Sequence, residues 1–178
     1  MSWYEIEKLR VKAGLIPTDT SKDTELESAA DVALSIAEGY CDRYFLKATQ
    51  EETFVHILNR SVLLKRYPVE SITTFDPKFR YHIDMPVGAI LFDGNVFEHE
   101  LKITYEGGYD PVPDDLELAL MMIFEKVYSS SIAPMSSGDS VKSAKIGDLS
   151  ITYGAGEGSS FIPIESIYLL ENYRRLTA

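Results

Sequence analysis

The residue types in this chain that could do chemistry are three histidines, His56, His82 and His99, and a run of carboxylates, Asp110, Asp114, Asp115 and Glu117. Zinc sites draw histidines and cysteines together at short spacings. These histidines are scattered, and no cysteine pair stands beside any of them, so no metal site is expected from them. The carboxylates are oxygen ligands of the kind a hard cation takes. Read that way, Asp110, Asp114 and Asp115 would make the chain a small metal-dependent enzyme. The same charges also suit the first turn of a helix, where the backbone dipole favours them. That simpler account needs no cation. Gly154-Ala155-Gly156-Glu157-Gly158 exposes backbone N–H groups like a phosphate loop. It lacks the following lysine and hydroxyl residue, and Glu157 would repel a phosphate. No serine carries the nucleophile-elbow motif. No catalytic, metal-binding or cofactor-binding residue is expected, and no cofactor.

The overall balance narrows the partners. The net charge of −11 excludes a primary nucleic-acid binder, which needs a basic footprint to neutralise phosphates. It is compatible with a surface that duplex DNA passes without sticking. A single cysteine, Cys41, rules out a disulfide within the chain and suits a reducing compartment. No apolar run approaches the ~20 residues of a membrane helix, and Met1 to Arg10 has no signal-peptide core. A soluble protein made in the cytoplasm, with no membrane partner, is the expectation.

The elements follow from periodicity and punctuation. A short helix is expected from Trp3 to Ala13, capped by Ser2 with Glu5 completing a capping box and ended by Gly14. A longer one follows from Thr24 to Leu46, with an alanine-rich face that becomes aromatic at Tyr40, Tyr44 and Phe45. Short strands are expected at 53–58, 62–64, 72–75, 88–92 and 101–105, with Asn59-Arg60-Ser61 and Asp93-Gly94 as turns. The serine-rich stretch 129–147 reads as a flexible loop. Gly147 to Tyr153 alternates like a strand, and a last helix starts near Pro163. The expected fold is α+β, mainly α. It is a small helical bundle (N-terminal helix pair, central apolar helix, C-terminal helix) with an inserted small antiparallel hairpin or sheet. One domain, 1–178, carries that loop and a C-terminal extension, 154–178.

The whole is organised around Leu101 to Tyr128. A strand ends at Gly107-Gly108, two prolines break the ladder, and Pro113 sits at the first helical position, where its missing N–H costs nothing. From Leu118 to Phe124 every residue is apolar. A surface helix needs an apolar stripe of only about 100°, so this helix must be covered on most sides. A partner chain is one way to cover it, and Leu116, Leu120, Ile123, Phe124 and Val127 are the candidate subunit-interface residues.

Four segments in order give the chain a family likeness. They are the early helix pair ending in Tyr44-Phe45; Leu63-Leu64-Lys65-Arg66-Tyr67-Pro68-Val69-Glu70-Ser71-Ile72; Ile103 to Tyr109 with Val112-Pro113 and the apolar helix; and Gly147 to Tyr153 followed by Leu169 to Arg175. Together they resemble the head–tail connector (adaptor, head-completion) proteins of long-tailed bacteriophages, with residues 75–100 and Trp3-Tyr4 departing from the pattern. The resemblance implies a non-enzymatic virion protein at the head–tail interface, made in the bacterial host cytoplasm. It implies a ring below the portal protein, dodecameric in the virion and monomeric when isolated, which extends the DNA channel toward a stopper or tail-completion protein. DNA would pass through it without specific binding. On that reading the C-terminal segment is the candidate for docking on the portal, through Tyr168, Tyr173, Arg174 and Arg175. A tail-completion or stopper-type ring protein of the same virion is the nearest alternative.

Overall fold

The computed structural model describes residues 2–57, 60–75, 80–93, 98–132, 141–146, 149–154 and 161–175. The elements are α1 (Ile6–Lys12), α2 (Asp23–Cys41), β1 (Ala48–Ile57), β2 (Ser61–Leu63), β3 (Val69–Phe75), β4 (Tyr81–Asp84), β5 (Ala89–Phe92), β6 (Glu98–Gly107), α3 (Asp114–Ile132), β7 (Val141–Ile146), β8 (Leu149–Gly154) and α4 (Ile164–Leu170). A 3-10 turn, Glu171–Tyr173, follows α4. The fold is mixed α+β with helix and strand in comparable shares, more strand than the mainly helical expectation. Among the described residues no helix is long and apolar enough to cross a membrane. Backbone contacts divide the chain into two compact units. A sheet unit holds residues 1–3, 41–113 and 174–178, and a helical unit holds 4–40 and 114–173.

In the sheet unit, β6 is the central strand of one antiparallel sheet, in the order β1-β6-β3. Its period-two pattern sorts the faces as the sequence suggests: Leu101, Ile103 and Tyr105 are buried, while Glu100 and Lys102 point outward. The register sets Val55 against Glu100, Thr53 against Lys102 and Glu51 against Thr104. The outer face is therefore threonine-rich and mostly acidic, with Lys102 Nζ 2.9 Å from Glu51. A second antiparallel sheet runs β2-β5-β4. Its Val62, Ile90 and Phe92 join Leu64, Val69, Leu101, Ile103 and Tyr105 in one core. The strand order corrects the hairpin expected at Asp93-Gly94, because β5 and β6 lie in different sheets. Asn59 and Gly94, within the two expected turns, lie outside the described residues.

The Tyr105 ring is fully buried, and its hydroxyl donates to Glu52 while accepting from Arg66 N–H at 3.0 Å. Glu52 Oε1 also accepts from Lys65 N–H at 2.8 Å, so one carboxylate and one phenol fix the backbone of residues 65–66. Burial, and then the bond to Glu52, push the Tyr105 hydroxyl well above its ordinary value of 10.0. Below pH ~10 folded and unfolded chains both hold this proton; above it only the folded chain does. Stability should therefore fall as pH rises past ~10. Urea unfolding from pH 9 to 11 checks this, and Tyr105→Phe should flatten the fall at a cost of about 1–2 kcal/mol near neutrality.

In the helical unit, α2 stops at Cys41, short of the expected Leu46. Asp42 takes a left-handed φ of 50°, which aspartate tolerates better than most residues and which ends a helix. Tyr44 and Phe45 thus leave the helix and run extended, and Phe45 is fully buried. Leu26, Ala29, Ala30, Ala33 and Ala37 form the fully buried face of α2. The helix α1 begins at Ile6, later than expected, and Glu5 caps it without a side-chain hydrogen bond. Arg10, on α1, is buried and clamps Asp23 in two-pronged fashion, Nε to Oδ1 at 2.8 Å and Nη2 to Oδ2 at 2.6 Å. Its third arm donates to Pro17 O at 2.5 Å. This clasp orders the polar turn between α1 and α2. The Arg10 partner holds the Asp23 carboxyl below its ordinary value, so the clasp stabilises the fold at neutral pH and weakens as acid titrates Asp23.

The stretch expected as a loop over 129–147 is ordered at both ends. α3 continues to Ile132, and Val141–Ile146 pairs with Leu149–Gly154 as an antiparallel hairpin. The serines extend α3 by bonding backward: Ser129 and Ser130 Oγ both donate to Lys126 O, at 3.1 and 2.7 Å. Residues 133–140 and the glycine turn 155–158 lie outside the described residues.

Candidate interaction surfaces

The residues expected at a subunit interface fill the helical unit's own interior. Leu116, Leu120, Ile123 and Phe124 are fully buried, and Val127 is nearly so. Phe124 stacks on Tyr128 with ring centroids 5.8 Å apart, and α4 packs along α3. The apolar residue that α3 leaves open is Leu118, 48 % exposed. It faces a groove of about 570 Å³ between α1 and the first half of α3. Val11, itself 56 % exposed, and Met121 share the apolar floor with Leu118. Glu7, Asp114 and Glu117 stand on the rim. Both lysines on this rim are already paired, Lys8 with Glu117 at 2.9 Å and Lys12 with Glu125 at 2.8 Å. No periodicity argument marks this groove. Its signal in the sequence is Val11, an apolar residue on the polar side of a short helix.

The C-terminal segment is split in its orientation. Tyr168, on α4, is 71 % exposed, and Arg174 is exposed. Tyr173 turns inward and donates to Asp115 Oδ1, while Tyr40 donates to Glu171, all within the helical unit. In the sheet unit Arg175 is a clasp. Its N–H donates to Cys41 O at 2.9 Å, Nη1 to Asp42 Oδ2 at 2.9 Å and Nη2 to Leu63 O at 2.5 Å.

Two further arginines of the sheet unit are cationic staples rather than surface charges. Arg43 is 4 % exposed, its guanidinium carbon 3.4 Å from the Tyr67 ring centroid and 5.4 Å from those of Phe45 and Tyr109. It also donates to Tyr67 O. Arg66 lies over Tyr44 at 4.9 Å and donates to Leu46 O. Planar guanidinium suits such stacking, and a lysine does not replace it. Arg43→Lys should lower stability by about 2 kcal/mol, measured by thermal unfolding at pH 7. The tyrosine that directly follows each arginine, Tyr44 after Arg43 and Tyr67 after Arg66, was the available sign of these pairs.

Among the described residues no group of three or more His, Cys, Asp or Glu converges on a cation site. Asp115 is engaged by Tyr173 and by the N–H of Leu116 at 3.0 Å. Asp110 belongs to the sheet unit, and Asp114 and Asp115 to the helical unit. The side chains of His56 and His99 lie outside the described residues, and His82 is exposed on β4. Millimolar Mg²⁺ or Ca²⁺ should leave the melting temperature unchanged, and a rise in differential scanning fluorimetry would restore the metal reading.

No protein family and no curated protein matches the sequence. Solved structures do match the fold. A chain from the neck of an empty gene transfer agent (GTA) particle, computed with C6 symmetry, matches with a TM-score of 0.63 at 15 % identity. The match covers 98 % of this chain and 91 % of that one. A chain from the virion of a native GTA particle gives 0.62 at 14 % identity over the same shares. One from the neck of a native GTA particle with C12 symmetry gives 0.55 at 15 % identity, over 86 % of this chain and 84 % of that one. Gene transfer agents are phage-like particles. At these identities the likeness is one of fold.

Proposed function

We propose that this chain is a structural, non-enzymatic neck component of a phage-like particle: a ring between the portal protein and the stopper or tail that extends the DNA channel after packaging. The observation that carries this reading is the fold match over nearly the whole chain to a protein of a particle neck. The order of the sequence segments points the same way without depending on it. The physical character agrees. Net charge is −11, and the outer face of β1-β6-β3 is acidic and threonine-rich, so a channel wall built from it would repel duplex DNA.

Portal docking is assigned to the C-terminal segment, with the roles of its residues divided. Tyr168 and Arg174 face outward and make the contact; Tyr173 and Arg175 hold the segment in place. Deleting residues 163–178 would be a poor test, because it removes the buried Leu170 and Ser166. Tyr168→Ala with Arg174→Ala should instead weaken portal binding by about tenfold or more. The melting temperature should barely move. Normal binding by that double variant would defeat the assignment. The test of the function itself is electron microscopy of this chain mixed with the portal protein encoded beside it. A second ring stacked on the portal supports the reading; bare portals at saturating protein overturn it.

A further inference from the structure

A sheet edge is a row of unpaired N–H and C=O groups, and proteins blunt such edges with short strands, bulges, lysines and prolines. The two edges of β1-β6-β3 differ in this respect. β3 is bulged, with register shifts between Val69 and Ser71 and between Ile72 and Thr74. β1 runs for ten residues with neither proline nor lysine. It keeps one register with β6, from Ala48 against Gly107 to Ile57 against Glu98. Among the described residues it pairs with β6 alone. Thr49, Glu51, Thr53 and Val55 are exposed along it, Val55 by 63 %. β1 is thus an edge suited to take another strand.

The chain carries a strand of complementary chemistry. β7 and β8 form a sheet of two strands only, a state that is marginal in water without a third strand or a packed face. β8 lies against α3, which leaves β7 as the outer strand. The strands of β1-β6-β3 hold six carboxylates, Glu51, Glu52, Glu70, Glu98, Glu100 and Glu106, against one cation, Lys102. β7 holds Lys142 and Lys145 with no acid, and β8 is uncharged; the acid between them in sequence is Asp148. A second copy of β1 on this edge would set Glu51 and Glu52 against the same two residues, which is destabilising. It would also be a two-fold contact, which makes a dimer and not a ring. We infer that β7 of one copy adds to the free edge of β1 in the next, and that this joined sheet is the ring's subunit contact. The inference rests on the ring reading. Alternation places Lys142 and Lys145 in different rows of β7. An antiparallel register that sets Lys145 opposite Glu51 also sets Ser143 opposite Thr53 and Val141 opposite Val55. That row of β7 therefore meets the exposed row of β1, and Ala144 and Ile146 fall in line with Glu52 and Gln50 on the core side.

The test uses the full chain, with Cys41 left in place because it is buried. Thr53→Cys and Ser143→Cys variants, each expected to keep the parent melting temperature, are mixed on portal rings and treated with a short bismaleimide. Mixed cross-links should exceed the self-links of either variant about tenfold. Lys145→Glu on the Ser143→Cys chain should lower that yield about tenfold, and Glu51→Lys on the Thr53→Cys chain should then restore it. A chain carrying both cysteine substitutions should give a ladder of linked multimers. Electron microscopy of the same samples tells the two readings apart. Rings without the mixed cross-link overturn this contact and leave the ring reading intact. Bare portals with no cross-link overturn both. A doubly substituted chain that links only within itself overturns the inference, because the hairpin then covers its own β1. So does a cross-link from the Thr53→Cys chain to the portal protein, which gives the edge another occupant.

Discussion

Leu120→Asp is expected to unfold the helical unit outright. Leu120 is fully buried on α3, as are Leu116 and Phe124 one turn to either side. Removing the leucine side chain alone costs roughly 2–5 kcal/mol. Placing a carboxyl group in the vacated apolar site adds a desolvation penalty of several kcal/mol, or keeps the acid protonated at similar expense. The total rivals the roughly 5–15 kcal/mol that holds a typical domain together. Far-ultraviolet circular dichroism and a thermal melt at pH 7 should show lost helix and no cooperative transition. Leu118→Asp, two residues away on the open side, should change stability by no more than about 0.5 kcal/mol. The pair separates a core role from an interface role on one helix. If Leu120→Asp melted like the parent, the burial of α3 described here would be wrong.

That contrast also shows what the sequence could convey. An unbroken apolar run from Leu118 to Phe124 says that α3 is covered on most sides; Ala119, Leu120, Ile123 and Phe124 are fully buried, and Leu118 is left open. It does not say whose atoms do the covering. Hydropathy alone assigns part of the task to a partner, because a short chain offers little core. α4 packs along α3 and supplies part of that cover from within the chain. The alternation of β6 and the Pro113–Asp114 start of α3 were legible because a local rule fixes each of them. The strand pairing was not, because β1 meets β6 and β2 meets β5 across long separations, and short β segments do not encode their partners. β4 was missed because Tyr81, His82 and Asp84 make a mostly polar strand. β7 was missed because its lysines and serine, in VKSAKI, read as loop. The helix stop at Cys41 was hidden by Tyr44 and Phe45, which keep helical spacing after Asp42 has left the helix.

The interaction surfaces follow the same division. Charge and order along the chain are sequence properties, so the neck-ring reading could be framed from them. Which side of α3 is open, and which of the four C-terminal residues points outward, depends on packing. Tyr173 and Arg175 have the same composition signal as Tyr168 and Arg174, yet they are hydrogen-bonded inward. A surface read from sequence is thus a list of candidates that the fold then divides into holders and binders.

Gly108→Val is the substitution expected to do most damage to the sheet unit. Gly108 follows the end of β6, where the chain passes the extended segment 44–47: Tyr109 N–H donates to Phe45 O at 2.7 Å, and Lys47 N–H donates to Tyr109 O at 3.2 Å. Its own N–H donates to Pro68 O at 2.9 Å. A Cβ here would lie 2.6 Å from both the carbonyl carbon and the oxygen of Leu46, and 2.8 Å from Lys47 N. These are backbone atoms held by three hydrogen bonds, so they cannot swing aside as a side-chain tip would. The residue also has φ +98°, a conformation that side chains of L-residues rarely adopt. Strain alone accounts for about 1–2 kcal/mol, and a β-branched residue adds the steric clash, for a loss of about 4 kcal/mol or more. Gly14 is the internal control. Its φ is +76°, but a Cβ there meets nothing within 4 Å, so Gly14→Ala should cost only about 1 kcal/mol. Chemical denaturation of both variants separates the two contributions. A Gly108→Val protein as stable as Gly14→Ala would mean that the 44–47 segment can move away from β6, and with it the arginine staples that hold that segment to Tyr67 and Tyr109.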